Sequence, residues 1–188
     1  MKNSHKTLLA AAISLGLMAG CNSQNDSETP TPMVRFATFN LSFDRTAAGM
    51  LAGELALSRT EQDALLARLA DGTLSGAEKT KALDVQQIRN IAEIVQRTRP
   101  DVFLLNEFDN DGKGSDTTDL KAFNDNYLAH AQHDEVKAIS YPVLQNFATN
   151  TGLMSGHDLN LDGKVNNGPD DAWGFGNYHG QYAFALMS

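Results

Sequence analysis

Two polar residues, Asn40 and Glu107, each stand near the end of an apolar run that has the composition of a buried strand. Asn40 lies in residues 34–41 (VRFATFNL), and Glu107 closes residues 101–107 (DVFLLNE). Sites in open α/β sheets form outside the carboxyl ends of strands, so both side chains are predicted at one sheet edge. A carboxylate beside an amide oxygen suits Mg²⁺. The alternative is that each residue only ends its strand by hydrogen-bonding to a turn.

A second group of oxygen-bearing residues, Asp158, Asn160 and Asp162, occupies alternate positions and is followed by Gly163. Oxygen ligands at positions 1, 3 and 5, with glycine at position 6, are typical of the first half of an EF-hand-like calcium loop. The backbone carbonyl of Lys164 would be the ligand at position 7. The spacing therefore predicts a Ca²⁺ site on this loop.

The calcium loop has an unusual end, because Pro169 stands where a bidentate Glu would be position 12. Asp170 or Asp171 could take over that role. The alternative is a solvated turn rich in Asp and Asn. Residues 109–116 form a looser version of the same pattern, for which a plain acidic loop is the preferred interpretation.

The N-terminus combines a short basic start, an apolar run of about a dozen residues and small residues before Cys21, which is the single cysteine. The apolar run is shorter than the roughly 20 residues that a membrane-spanning helix needs. Residues 1–20 are therefore predicted to be a signal peptide. The residues before Cys21 resemble a lipobox, which implies acylation of Cys21 and a lipid-anchored, exported protein. An ordinary secretory peptide with a stray cysteine is the alternative.

The residues after the cysteine indicate what the anchor carries. Residues 21–32 are polar and Pro-rich, and they are predicted to form a flexible tether to a domain over residues 33–188. By analogy with other bacterial lipoproteins, Asn22 favours the outer membrane or cell surface over the inner membrane.

The hydrophobic pattern predicts an α/β domain, also describable as α+β. Residues 34–41 and 101–107 are predicted strands, and the apolar three- and four-residue spacing between them predicts an amphipathic helix that Pro100 closes. Strand, helix and strand joined this way are typical of a βαβ-like crossover. Helices are also expected at 60–70 and 120–133, a helix or a mobile loop with a helical turn at 46–57, and strands at 141–147 and 181–187.

Two helix starts are predicted from their capping residues. Thr60 is the expected N-cap of the helix at 60–70, and Ser75 with Glu78 has the form of a capping box for the long helix.

Three segments together resemble the endonuclease/exonuclease/phosphatase, or DNase I-like, superfamily. They are its opening strand at 34–41, its glutamate motif at 99–107 (RPDVFLLNE), and a "GQYGMAVLS"-like strand within 173–188. The resemblance implies a two-sheet sandwich flanked by helices and Mg²⁺-assisted attack of water on a phosphoester substrate. It also implies that Glu107 is a metal ligand and that Asn40 orients the metal or the scissile phosphate.

The later motifs of that family are not found in the sequence, namely a catalytic histidine, a Gly-Asp-Phe-Asn turn and a terminal Ser-Asp-His. The chain is therefore expected to be the N-terminal part of the domain, with the C-terminal half missing. The strand at 181–187 is expected to pair on one side only and to leave an apolar edge, which favours aggregation.

The aromatic residues near the C-terminus have two possible roles: Trp173, Phe175, Tyr178 and Tyr182. They could line a substrate cleft, although anchoring a loop to the core is the commoner role for such residues.

The charge distribution bears on the partners. The formal net charge is −8, and residues 101–171 carry thirteen Asp and Glu against four Lys and Arg. An acidic region attracts cations rather than a polyanion, so no bulk nucleic-acid-binding face is expected. The interpretation is a metal-dependent phosphoester hydrolase, whether phosphatase, phosphodiesterase or nuclease. The alternative is a non-catalytic calcium-binding surface lipoprotein.

We predict that these 188 residues alone have no hydrolase activity, because the expected general base and much of the expected metal site belong to the later motifs. The measurement is magnesium-dependent release of phosphate or cleavage of DNA. Activity above that of a Glu107→Ala control would contradict the prediction.

Overall fold

The computed structural model describes residues 33–188, and its centre is one four-stranded mixed sheet with the order β1-β2-β4-β3. The strands are β1 (Phe36–Phe43), β2 (Val102–Phe108), β3 (Leu144–Asn146) and β4 (Phe184–Met187). The predicted α/β class is confirmed, and the arrangement is consistent with part of a DNase I-like fold. One sheet of the expected sandwich is present among the described residues. The predicted signal peptide, Cys21 and the tether lie outside them.

The predicted crossover is confirmed, because β1 and β2 are parallel neighbours joined by three helices. These helices are α1 (Met50–Leu55), α2 (Arg59–Ala70) and α3 (Gly76–Thr98). The register pairs Asn40 with Asn106. The carboxyl ends of both strands therefore lie at the same edge of the sheet.

The helix starts differ from the predicted ones. The N-cap of α2 is Ser58, whose hydroxyl accepts from the backbone N–H of Glu61, while the Glu61 carboxylate accepts from the backbone N–H of Ser58. Thr60 is therefore inside the helix. Ser75 is the N-cap of α3 but makes no capping hydrogen bond, and Glu78 instead forms an ion pair with Arg68 of α2. The prediction of a capping box at Ser75 was wrong, since Gly76 directly after Ser75 has a left-handed φ of 53° and Glu78 pairs with Arg68.

The core lies between the sheet and the helices that cover one of its faces. Helix α3 presents Val85, Ile88, Ala92 and Val95 to the sheet, and all four are buried. Helix α4 (Thr118–Phe123) continues into a single wider turn (Asn124–Leu128), and the helix predicted to reach residue 133 ends there. No helix within residues 33–188 is both long and apolar enough to cross a membrane.

Strand β4 lies inside the sheet rather than at its edge. It pairs with β2 on one side and with β3 on the other, both antiparallel. The expectation that this strand pairs on one side only was therefore wrong, because residues 144–146 return to cover its second edge. The edge strands of this sheet are β1 and β3.

The sheet face opposite the helices is more open. Phe36 and Phe184 on this face are 76% and 40% exposed, whereas Phe103 and Met187 on the helix side are buried. The alternation of strand side chains thus separates a core face from an accessible face, and Asn40 belongs to the accessible one.

Candidate functional site

Three residues with left-handed backbone lie at the sheet edge where β1 and β2 end and the segment leading into β4 begins. Ser42, Glu107 and Tyr182 have φ values of 49°, 55° and 59°. A residue other than glycine in this conformation costs about 1–3 kcal/mol, so such residues persist only where the surroundings enforce them. Their concentration at one edge marks it as a candidate site.

A β-bulge brings Glu107 to this edge. The pairing runs from Asn40↔Asn106 to Phe43↔Phe108, with two residues between the pairs on β1 and only Glu107 between them on β2. The bulge takes Glu107 out of the alternation of β2, so Phe108 can return to the core. Bulges of this kind re-aim side chains beside functional sites. The structure thus brings Asn40 and Glu107 to one edge.

The side-chain oxygen of Asn40 is used within the chain, while its amide nitrogen is free. Its side-chain oxygen accepts from the backbone N–H of Ser42 at 2.9 Å, which helps to end β1 and agrees with the turn alternative. Among the described residues its amide nitrogen has no partner, and the side chain is exposed. It can therefore turn the strand and still face a ligand.

Asp109 lies two residues beyond Glu107 and organises the edge, a role that the sequence did not predict for this first residue of the acidic stretch 109–116. Its carboxylate is buried and accepts from the backbone N–H groups of Arg45 and Tyr182, both at 3.0 Å, and from the hydroxyl of Tyr178. Burial raises the pKa of Asp109, while these donors act in the opposite direction. Because both oxygens are engaged by the protein, Asp109 is a structural acceptor and not a free metal ligand.

A buried charge cluster stands behind the loop that follows β1. The Nε of Arg45 lies 2.7 Å from the Oε2 of Glu54 and 3.9 Å from the Oδ2 of Asp84. Burial raises the pKa of Glu54 to about 7, and Asp84 adds to that rise although Arg45 opposes it. Two carboxylates share one guanidinium, so a proton on Glu54 brings the cluster to neutrality.

A cleft of about 370 Å³ opens beside these groups and is called the Asp44 cleft here. It is lined by Asp44, Arg45, Thr46, Met50, Thr80, Asp84, Asn177, Gln181 and Tyr182. Burial raises the pKa of the Tyr182 hydroxyl, and the carboxylates of Asp44, Asp109 and Glu107 raise it further. Tyr182 therefore links the cleft to the edge that carries Glu107.

The four aromatic residues near the C-terminus have different roles. Tyr178 anchors its loop to Asp109, and Tyr182 lines the Asp44 cleft with Phe175 beside it, their ring centroids 6.1 Å apart. Trp173 and Phe175 are 58% and 62% exposed, so neither is a core anchor. The tyrosines thus divide between the anchoring role and the cleft role.

The predicted calcium loop is compactly wound. The carboxylate of Asp158 accepts from the backbone N–H of Asp162 at 3.1 Å and from that of Gly163 at 2.8 Å, and Gly163 has φ +84°. Asn160 also accepts from the N–H of Asp162, and Asp162 accepts from that of Lys164. The residues predicted as ligands therefore share one turn, outside the Asp44 cleft.

Asp171 closes that loop from the protein side. It is buried, and its two carboxylate oxygens accept from the backbone N–H groups of Leu159 and Asn167, each at 2.8 Å. These donors lower the pKa of Asp171. Asp171 thus stabilises the loop through these two backbone hydrogen bonds. Its oxygens are occupied by them, so it does not supply the final ligand that is missing at Pro169.

The groups at the sheet edge fit a magnesium ion that keeps part of its water shell. Within residues 33–188 no three His, Cys, Asp or Glu side chains converge on a common point. Mg²⁺ commonly takes only one or two protein carboxylates and completes its octahedron with water and phosphate oxygens. Glu107 supplies one such carboxylate, while the free amide N–H of Asn40, whose oxygen accepts from Ser42, suits a phosphate oxygen.

The chain matches the Endonuclease/Exonuclease/phosphatase family over residues 37–188. Since this match covers most of the sequence, the chain belongs to that family, and its domain is of the phosphoester hydrolase type. No curated protein and no solved structure matches the chain. The resemblance seen in the three sequence motifs is therefore confirmed.

The raised pKa of Glu54 predicts a pH dependence of stability. Between about pH 4.5 and 7 the unfolded chain loses the Glu54 proton while the folded protein keeps it, so the free energy of unfolding falls as pH rises. We expect a loss of roughly 1–3 kcal/mol over this range, and Glu54→Gln should remove it. Urea denaturation at pH 5 and pH 7 measures the difference, with the exposed Glu135→Gln as control. The prediction would be contradicted if the free energy of unfolding changed equally between pH 5 and pH 7 in Glu54→Gln and in the wild type.

Proposed function

We propose that this domain takes part in magnesium-dependent phosphoester hydrolysis, with Glu107 as a metal ligand and Asn40 orienting the metal or the scissile phosphate. The observation that carries the proposal is the bulge that brings Glu107 and Asn40 together at the carboxyl edge of two parallel strands. Family membership supports the reaction class, because it covers residues 37–188.

The charges around the edge favour a metal as the partner of the phosphate. The acids nearest Tyr182 are Asp44, Asp109 and Glu107, and the guanidinium of Arg45 is already paired with Glu54. A phosphate would be repelled by such a site unless a cation stood between. When bound, Mg²⁺ would polarise the phosphoryl oxygen and stabilise the departing oxyanion.

The residues of the chain have separate tasks in this proposal. The Glu107 carboxylate supplies the negative ligand that holds a hard cation at the edge. The Asn40 amide, fixed by its hydrogen bond from Ser42, offers an N–H donor to a phosphate oxygen. Asp109 acts through position alone, because it fixes the loop of Arg45 and the approach of Tyr182.

Magnesium binding tests the proposal without requiring turnover. We expect Glu107→Gln to weaken Mg²⁺ binding at least tenfold, because the amide removes the formal charge and keeps the shape. Calorimetric titration of the full chain, or Mn²⁺ electron paramagnetic resonance with Mg²⁺ competition, gives the dissociation constants. Glu135→Gln is the matched control, since Glu135 is exposed and its nearest cationic partner, Arg97, lies 3.8 Å away near the end of α3. Unchanged affinity in Glu107→Gln would contradict the proposed ligand.

The alternative function, a non-catalytic calcium-binding surface protein, has its own supporting observation. The loop at 158–164 has glycine in the left-handed conformation at position 6 and a carboxylate at position 1 that accepts two backbone N–H groups. This winding is what an EF-hand-like loop requires. Calcium binding there is compatible with the hydrolase proposal, because the two sites use different residues.

Thermal unfolding with and without calcium tests the loop. We expect millimolar Ca²⁺ to raise the melting temperature of the full chain by a few degrees, because a ligand that binds only the folded state stabilises it. Asp162→Ala should remove most of that rise, and Asp134→Ala, an exposed acidic control, should keep it. A wild-type melting temperature that does not respond to calcium would count against the site.

The location at a membrane is also a proposal and rests on the N-terminal sequence. We expect Cys21→Ser to abolish incorporation of a labelled fatty acid and to move the protein from the membrane fraction to the soluble fraction. Metabolic labelling and fractionation of cells expressing the full chain measure both effects. Fatty-acid labelling that persists in Cys21→Ser would contradict acylation at this residue.

A further inference from the structure

The long segment between β3 and β4 carries a cluster of exposed apolar side chains, called the apolar loop patch here. Its members are Leu153, Leu159, Leu161, Val165, Trp173 and Phe175, each at least 40% exposed. Six of the thirteen exposed large apolar side chains within residues 33–188 thus fall in this one segment. Single exposed apolar residues are ordinary, but a concentration of them marks an interaction surface.

A short antiparallel ribbon supports this patch. Met154 and Ala172 form an isolated antiparallel bridge, and the backbone N–H of Trp173 donates to the carbonyl of Leu153 at 2.8 Å. Leu153 and Trp173 therefore lie opposite one another on the same side of the ribbon, while Ala172 on the other side is buried. The loop at 156–170, which holds the exposed leucines and valine, connects the two strands of the ribbon.

The loop uses its polar side chains internally and leaves its apolar side chains in solvent. Asp158 accepts from the backbone N–H groups of Asp162 and Gly163, and the buried Asp171 accepts from that of Leu159. A backbone N–H that already has an acceptor loses little when water is removed from around it. The loop can therefore enter a less aqueous environment at low cost, and its apolar side chains gain by doing so.

A lipid surface is the partner within reach of the patch if Cys21 is acylated as proposed. The twelve residues 21–32 span at most ~40 Å when extended, and a compact domain of about 155 residues is ~40 Å across. The patch can therefore touch the bilayer that holds the anchor. Because tethering raises the effective concentration of the lipid surface, a small apolar patch is sufficient.

The charges of the loop determine which lipid surface it accepts. Residues 156–170 carry Asp158, Asp162 and Asp170, while Lys164 is their only Lys or Arg. An anionic lipid surface repels such a loop, whereas a zwitterionic surface does not.

We propose that the apolar loop patch inserts into the interface of a zwitterionic lipid bilayer. Leu159, Leu161 and Val165 reach the acyl boundary, and Trp173 lies at the level of the headgroups, which tryptophan prefers. The proposal rests on the proposed location at a membrane, and it requires neither the magnesium site nor the calcium site.

The fluorescence of Trp173 tests the proposal, because this residue is the single tryptophan of the chain and lies in the patch. The full chain with Cys21→Ser is mixed with phosphatidylcholine vesicles that carry brominated acyl chains, in buffer with EDTA. We expect the emission of Trp173 to shift to shorter wavelength and to be quenched by the bromine atoms. Vesicles rich in phosphatidylglycerol should bind more weakly, because their surface is anionic.

Loop variants separate insertion of the patch from attachment of the chain by other segments. Leu159→Ser and Leu161→Ser should each raise the lipid concentration for half-maximal quenching by about fivefold, because each removes an apolar side chain that the interface buries. Leu83→Ser is the matched control, since Leu83 is 47% exposed, as Leu159 is, but lies on α3. Its quenching curve should equal that of the parent chain.

Four outcomes would overturn the proposal: Trp173 emission that brominated lipid does not quench, equal quenching in all three Leu→Ser variants, stronger quenching by anionic vesicles, and a wavelength shift that depends on protein concentration without vesicles. The last of these would show that the patch joins two copies of the chain. Fatty-acid labelling tests the anchor at Cys21, whereas the vesicle assay uses a chain without that cysteine. The two proposals can therefore fail separately.

Discussion

The buried carboxylate of Asp109 is the interaction on which the candidate site depends. It stands just after β2 and accepts from the backbone of Arg45, beyond β1, and from the backbone of Tyr182, ahead of β4. One side chain therefore joins segments that are 64 and 73 residues away in sequence. A buried backbone N–H left without an acceptor costs about 1–3 kcal/mol. Asp109 therefore favours the backbone positions of Arg45 and Tyr182 that keep both of these hydrogen bonds.

The electrostatics of the edge are consistent with the proposed cation. Negative side chains gather around Tyr182, and Arg45 is the cationic side chain in the cleft wall but is paired with Glu54. Burial raises the pKa of Glu54, which favours its protonated form. Protonation of Glu54 reduces the negative charge that Arg45 must balance in the cluster with Asp84. The proposed magnesium ion would offset this negative charge where a phosphate approaches.

One face of the sheet packs into the core, while the other face and the edge at Glu107 carry the candidate site. The helices cover the face that carries Phe103 and Met187, while the face that carries Asn40 and Phe184 stays accessible. Because of the bulge at Glu107, β2 contributes to both. Phe108 packs in the core, while Glu107 lies at the edge. The local geometry thus places Asn40 and Glu107 at one edge of the sheet, and their roles remain a proposal.

The sequence by itself determined the α/β class, the parallel pairing of residues 34–41 with 101–107, and the candidacy of Asn40 and Glu107. It could do so because apolar runs and helical periodicity are local patterns, and because the family motifs lie within those runs. The lipid anchor at Cys21 and the metal ions remain predictions from the sequence. Short segments with mixed composition were harder to read, which is why the ends of the helix after Thr118 and of the strand before Phe147 were misplaced.

Only the tertiary structure decided which capping residue is used, where β4 lies and what holds the edge together. Ser58 and Ser75 look alike in sequence, but Gly76 follows Ser75 with a left-handed φ and Glu78 pairs with Arg68. Strand β4 became internal because β3, far from it in sequence, supplies a second set of hydrogen bonds. Asp109 and Arg45 have no local signature, since their roles arise from contacts between residues more than 60 positions apart, which no local pattern records.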